Sequence, residues 1–122
     1  YRVLKPGGRA VFYEVCANEN APLHFPVPWA QDTSMSFLVK PDAFRDVLKS
    51  AGFEITDWND KTNLAQKAFA HMQKPVGKPT LPALGVYLLV GEDIGTKAYN
   101  LHLNLDEERV SLIETVGVKP EA

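Results

Sequence analysis

Six side chains near the start of the 122-residue chain have the chemistry to form a site: Tyr13, Glu14, His24, Phe25, Trp29 and Phe37. His24 changes charge nearest neutral pH, so it suits a base or a polar anchor. Its structural alternative is a histidine on a surface loop. Glu14 follows the apolar centre of a strand-like run and sits toward its C-terminal end. In open α/β sheets ligands gather at that edge. The alternative for Glu14 is a solvated strand-end carboxylate. Tyr13, Phe25, Trp29 and Phe37 are of the type that lines a small-molecule pocket. They equally suit capping the core and anchoring the long loop that carries most of them.

Other reactive residues offer less. His71 and His102 fall at helical positions and read as surface residues. No pair among the His, Cys, Asp and Glu residues has convincing metal-ligand spacing. Cys16 has no sequence neighbour that favours a thiolate, so it reads as a small buried hydrophobe. Asp106-Glu107-Glu108-Arg109 reads as a solvated helix end.

The elements that must position these residues follow from pattern. Lys5-Pro6-Gly7-Gly8 is a breaker cluster and marks a tight turn. Arg9 to Val15 is a strand, apolar on both alternating faces, which predicts a central position covered on both sides. Residues 17–40 form a long irregular stretch with Pro22, Pro26 and Pro28. Loops of that length are commonly functional, and the aromatic content opposes disorder. Pro41 to Ala51 is the clearest helix, with Phe44, Val47, Leu48 and Ala51 on one stripe, Pro41 in its first turn and Gly52 as a left-handed cap. Phe53 to Trp58 reads as a strand. Thr62 is the expected N-cap of a second helix with Leu64, Ala65, Ala68, Phe69 and Met72 on one side. Leu84 to Val90 fits either a strand or a short helix. Ile94 to Glu108 reads as helix with Ala98, Leu101, Leu105 and Tyr99 inward, and Val110 to Val118 as the last strand. The alternation is that of an α/β fold.

Bulk properties bound the remaining classes. The length suits one modest domain. The 45% apolar and 23% charged content is that of a globular chain. A net charge of −2 with scattered Lys and Arg argues against nucleic acid or an anionic membrane as partner. Val86–Val90 and similar apolar runs are far too short to span a bilayer. A lone cysteine forbids an internal disulfide and fits a cytoplasmic location. The opening Tyr1-Arg2-Val3-Leu4 reads as the tail of a helix, which raises the expectation of a fragment.

Four ordered segments carry a resemblance. They are the Leu4-Lys5-Pro6-Gly7-Gly8 turn with its following strand, the loop Phe25-Pro26-Val27-Pro28-Trp29-Ala30, the helix ending Ala51-Gly52-Phe53, and the strand Val110 to Pro120. Together they resemble the C-terminal half of a class I S-adenosylmethionine-dependent methyltransferase, in the small-molecule, type 11-like branch. The resemblance implies a partial Rossmann-like sheet of mixed parallel and antiparallel strands, similar to the fifth, sixth and seventh of that family, with about three helices. It makes residues 1–122 a single domain on the acceptor side. Methyl transfer needs mainly a positioned nucleophile and exclusion of water, so His24 and Glu14 become the catalytic candidates. Tyr13, Phe25, Trp29 and Phe37 become the substrate-binding candidates.

One departure limits what carries over. The Gly-rich turn that holds the methyl donor in that family has no counterpart, since Gly85, Gly91 and Gly95 lack the spacing and the preceding strand. The expectation is therefore a truncated methyltransferase, inactive alone, with S-adenosylmethionine as cofactor of the full-length parent and none for this chain. The alternative is a stand-alone small-molecule-binding or protein-interaction module. Either way strand Arg9–Val15 loses a neighbour. Open edges pair with other chains, so a homodimer through that strand, or by exchange of an element, is expected.

Overall fold

A computed structural model describes residues 1–19 and 22–121. The chain turns at Pro6-Gly7, where Gly7 adopts φ 73°, a left-handed conformation open to glycine. It then enters β1 (Arg9–Ala17), whose Val, Phe and Tyr residues favour extended backbone. The following irregular stretch contains a short turn of 3₁₀ helix, Thr33–Met35. Next come α1 (Pro41–Ser50), β2 (Glu54–Asp60), α2 (Thr62–Phe69), α3 (Tyr87–Val90), α4 (Ile94–Asp106) and β3 (Val110–Val118). The fold is α/β, as the sequence pattern predicts, with the ambiguous segment before Gly91 resolved as helix α3.

The sheet order is β1-β3-β2. β3 pairs antiparallel with both neighbours, with Tyr13 opposite Glu114 and Trp58 opposite Thr115. β1 and β2 thus run the same way on either side of β3, and among the described residues no two parallel strands share hydrogen bonds. A bulge between Ile55 and Asp57 interrupts the β2 ladder. The expectation that Arg9–Val15 is central is corrected: β1 is an edge strand, and β3 takes the centre. Asn18 N–H donates to Arg109 O at 3.0 Å while Ala17 N–H donates to Val39 O at 2.9 Å on the other side. Alternation along the strand then points the N–H groups of Val11, Tyr13 and Val15 at the open edge. The apolar pattern on both faces misled because one face is packed and the other is partly bare, with Val11 70% and Tyr13 56% exposed.

Helix ends show how sequence dictates local structure. Proline occupies the first turn of α1, with Asp42 beside it and Lys49 in the last turn, each matching the helix dipole. Past its end, Gly52 has φ 101°; Gly52 N–H donates to Lys49 O and Phe53 N–H to Leu48 O, the paired closure of a Schellman motif. For α2 the expected cap moves one residue, to Lys61, which makes no side-chain cap bond. Asp60 Oδ1 accepts from Thr62 N–H at 2.9 Å, while the Thr62 hydroxyl accepts from Leu112 N–H at 3.0 Å and ties the helix to β3. His71 lies just beyond α2 rather than on a helix.

α1 covers one face of the sheet and α2 with α4 covers part of the other. On the α1 face Phe12 meets Phe44 at 6.2 Å and Phe53 at 5.6 Å, and Phe53 meets Tyr1 at 5.1 Å, all edge-on. Gly117 lies beneath Phe53, and a Cβ there would come within 2.9 Å of the ring. On the opposite face Ala65, Leu105 and Val110 form the buried core, joined by Val15, Leu101, Leu112 and Phe69. Among the described residues no helix is long and apolar enough to cross a membrane.

Candidate functional site

The α2/α4 face holds a cavity of about 480 Å³. The sheet floors it with Tyr13 and Val15 of β1 and Leu112 of β3. α2 contributes Leu64, Ala65, Ala68 and Phe69, and α4 contributes Leu101. The remaining wall is Pro28-Trp29 from the irregular stretch. That stretch is folded back locally: Val27 and Ala30 exchange both backbone hydrogen bonds, at 2.8 and 3.1 Å, so Pro28 and Trp29 form the tip of a tight turn. Val27 and Ala30 are buried beneath it. The Trp29 indole N–H donates to Ser36 Oγ at 3.1 Å, fixing the ring's edge. The Tyr13 hydroxyl is a polar group on an otherwise hydrocarbon lining, and rings of this kind present an apolar body with a hydrogen-bonding tip.

Of the six residues singled out from sequence, the structure brings Tyr13 and Trp29 together. Phe25 lines a separate cavity of about 220 Å³ with Leu23, Leu38 and Arg109. Phe37 is 84% exposed and touches neither. Glu14 is exposed and, by strand alternation, points to the face opposite Tyr13. His24 is engaged elsewhere: its Nε2 lies 2.9 Å from Glu107 Oε2, and Arg109 Nε donates to the same oxygen at 2.5 Å. The His24 hydrogen bond, followed by that from Arg109, holds the Glu107 carboxyl below the usual carboxylate range. The catalytic roles expected of His24 and Glu14 therefore find no common cavity.

Several lining residues were visible in the helical stripes but read there as core. Leu64, Ala68 and Phe69 of α2 and Leu101 of α4 are of this kind. A periodic apolar stripe does not reveal whether the facing space is filled. Leu64 is 60% exposed, which marks the cavity's open side. The polar residues Asn100 and Asn104 gave no such signal, yet both grip the loop that carries Trp29.

A second cavity, of about 500 Å³, lies where β1 and β2 end, lined by Asn18, Glu19, Asp60, Thr62, Asn63, Glu108 and Ser111. Its polar groups largely satisfy one another. Ser111 Oγ donates to Asn18 Oδ1 at 2.8 Å, Asn18 Nδ2 to Glu108 O at 2.9 Å, and Glu19 pairs with Lys40. Among the described residues no group of three or more His, Cys, Asp or Glu side chains is placed to hold a metal ion. Cys16 is buried at the end of β1; burial, with the nearby Glu14 and Asp60 charges, pushes its thiol up to about 11. It behaves as the small hydrophobe its sequence context indicates.

The fold is an α/β architecture of methyltransferase-like type. It is similar to the crystal structure of the [4+2]-cyclase SpnF, with a TM-score of 0.53 and 22% identity over 99% of this chain. The chain spans 42% of the length of that cyclase chain. No family model matches the sequence, and no curated protein matches it.

These findings correct the resemblance to a truncated class I methyltransferase. The likeness is one of fold, to a protein described as a cyclase, and no family model supports the narrower reading. The structure explains why the motifs misled. Gly7 and Gly52 take positive φ to start a strand and close a helix, and Gly117 makes room for Phe53. Segments that do backbone work of this sort recur wherever a helix feeds a strand, whatever the chemistry.

Proposed function

We propose that this domain binds a small, neutral, largely apolar molecule in the cavity between β1, α2, α4 and the Pro28-Trp29 turn. The single observation that carries the reading is the cavity itself: about 480 Å³, walled by Trp29, Phe69, Leu101 and Leu112, with Tyr13 as its polar group. Ligand sites for small molecules fall in the range of roughly 300–1,000 Å³ and combine an apolar lining with few polar groups. The lining carries no charged side chain, so a charged ligand would lose hydration without a compensating ion pair. The fold likeness to a cyclase agrees with small-molecule chemistry in this architecture.

Titration with N-phenyl-1-naphthylamine, a neutral apolar fluorophore, tests the reading. The expected result is saturable one-to-one binding that Ala68→Trp abolishes by filling the cavity while leaving the melting temperature unchanged. Binding that survives Ala68→Trp, or no saturable binding at all, would refute it.

A further inference from the structure

The clamp that holds the Pro28-Trp29 wall comes from one face of α4. Asn100 and Asn104 are four residues apart, so their side chains project from the same side of the helix. Asn104 is fully buried. Both of its polar atoms are used on one loop residue: Oδ1 accepts from His24 N–H at 2.8 Å, and Nδ2 donates to His24 O at 3.1 Å. One turn earlier, Asn100 Nδ2 donates to Pro26 O at 2.8 Å. Beyond the helix end, Arg109 Nη1 donates to Pro22 O at 2.5 Å. The loop thus presents its carbonyls at alternate residues, 22, 24 and 26.

The periods of the two elements account for this match. Two residues of extended chain advance about 6.6 Å, and four residues of helix advance about 6 Å. Amides spaced four apart on α4 therefore meet alternate carbonyls of a strand-like segment laid along it. Immediately after Pro26 the chain makes the Val27–Ala30 turn with Trp29 at its tip. Leu101, the residue after Asn100, lines the same cavity from the other side. The Asn100 hydrogen bond is thus the clamp nearest in sequence to the wall, and it ties α4, which gives Leu101 to the lining, to the segment that carries Trp29.

We infer that Asn100 is a positioning residue for the ligand cavity: its side-chain amide sets the distance between the Trp29 wall and α4, and so governs which apolar molecules the pocket accepts. The inference rests on the ligand-binding reading above. Asn104, by contrast, is the buried anchor of the loop as a whole. Losing it leaves the His24 N–H and C=O unpaired inside the protein, a general cost to stability. Asn100 serves the wall with less at stake for the fold.

Asn100→Asp and Asn100→Ala, made in a Trp58→Phe background so that Trp29 is the only tryptophan, test this. The aspartate keeps the size of the side chain but, ionised, has no hydrogen to donate. Two readouts are taken: affinity for N-phenyl-1-naphthylamine, and quenching of Trp29 fluorescence by acrylamide. Both variants are expected to lose about tenfold in probe affinity, the loss of one hydrogen bond's worth of positioning, and to gain acrylamide accessibility at Trp29. Their melting temperatures are expected to stay near that of the background. A merely structural residue would lower the melting temperature and leave the folded protein's affinity and Trp29 accessibility alone; that result overturns the inference. If the unsubstituted protein binds no probe, the ligand reading falls, and the quenching arm alone then decides whether Asn100 holds the wall. Unchanged quenching in both variants rejects the positioning role outright.

Discussion

The two faces of the sheet are built from similar apolar residues to opposite ends. On the α1 side, Tyr1, Phe53, Phe12 and Phe44 form a chain of edge-on rings, each 5.1–6.2 Å from the next, and Gly117 in the central strand leaves room for Phe53. On the α2/α4 side a small buried core of Ala65, Leu105 and Val110 gives way to apolar residues that stand around an empty volume. The first face is closed by ring-to-ring contacts; part of the second is walled by the Pro28-Trp29 turn, which reaches across from the loop. Hydrophobic composition alone does not separate a core from a pocket, because both remove water from the same kinds of side chain. What separates them is whether a partner atom occupies the facing space.

That difference is open to attack by mutation. The largest effect is expected on the filled face. Phe53→Ala removes a buried ring that touches Tyr1, Phe12 and Gly117, and is expected to cost about 3–5 kcal/mol in urea denaturation. A loss under about 1 kcal/mol would mean the aromatic cluster does not carry that face. The open face is expected to respond far less. Leu64 lines the cavity yet is 60% exposed, so Leu64→Ser is expected to change stability by no more than about 0.5 kcal/mol, while weakening N-phenyl-1-naphthylamine binding. A large stability loss there would make the cavity wall part of the core.

The smallest effect depends on pH. Glu107 is held below the usual carboxylate range by its hydrogen bond from His24 and then by Arg109. The folded chain therefore binds that proton less tightly than the unfolded chain. The stabilisation is complete above the unfolded carboxylate value and is lost as pH falls through the folded one. Acid titration followed by circular dichroism is expected to show a shallower loss of stability for Glu107→Gln than for the unsubstituted chain across the acidic range. Identical acid limbs would show that the His24–Glu107–Arg109 tie contributes nothing.

How much of this was readable in the sequence follows from the range of each interaction. Pro41, Asp42 and Gly52 act on backbone within a turn of themselves, so α1 and its cap could be placed from neighbouring residues. The apolar run of Val110 to Val118 marked its strand, but its central rank depended on pairing with residues about a hundred positions away. The site was half readable. Tyr13 and Trp29 stood out as aromatics, and Leu64, Ala68 and Leu101 appeared as helical stripes. Phe25 and Phe37 were indistinguishable from Trp29 by type, and only the Val27–Ala30 turn and the hydrogen bonds from α4 decide which ring faces the cavity. Asn100 and Asn104 were silent, because an amide's role depends on which distant carbonyl it meets.

The central claim is that the open face, and not some other apolar surface, receives the ligand. The molecule offers a rival: Leu84, Val86, Leu88 and Leu89, around α3, are 60–88% exposed and present the kind of patch to which apolar probes adhere. Nuclear Overhauser contacts from bound N-phenyl-1-naphthylamine to the leucine methyl groups discriminate the two directly. The account predicts contacts to Leu64, Leu101 and Leu112, and none to Leu84, Leu88 or Leu89. Contacts confined to the α3 leucines would contradict it.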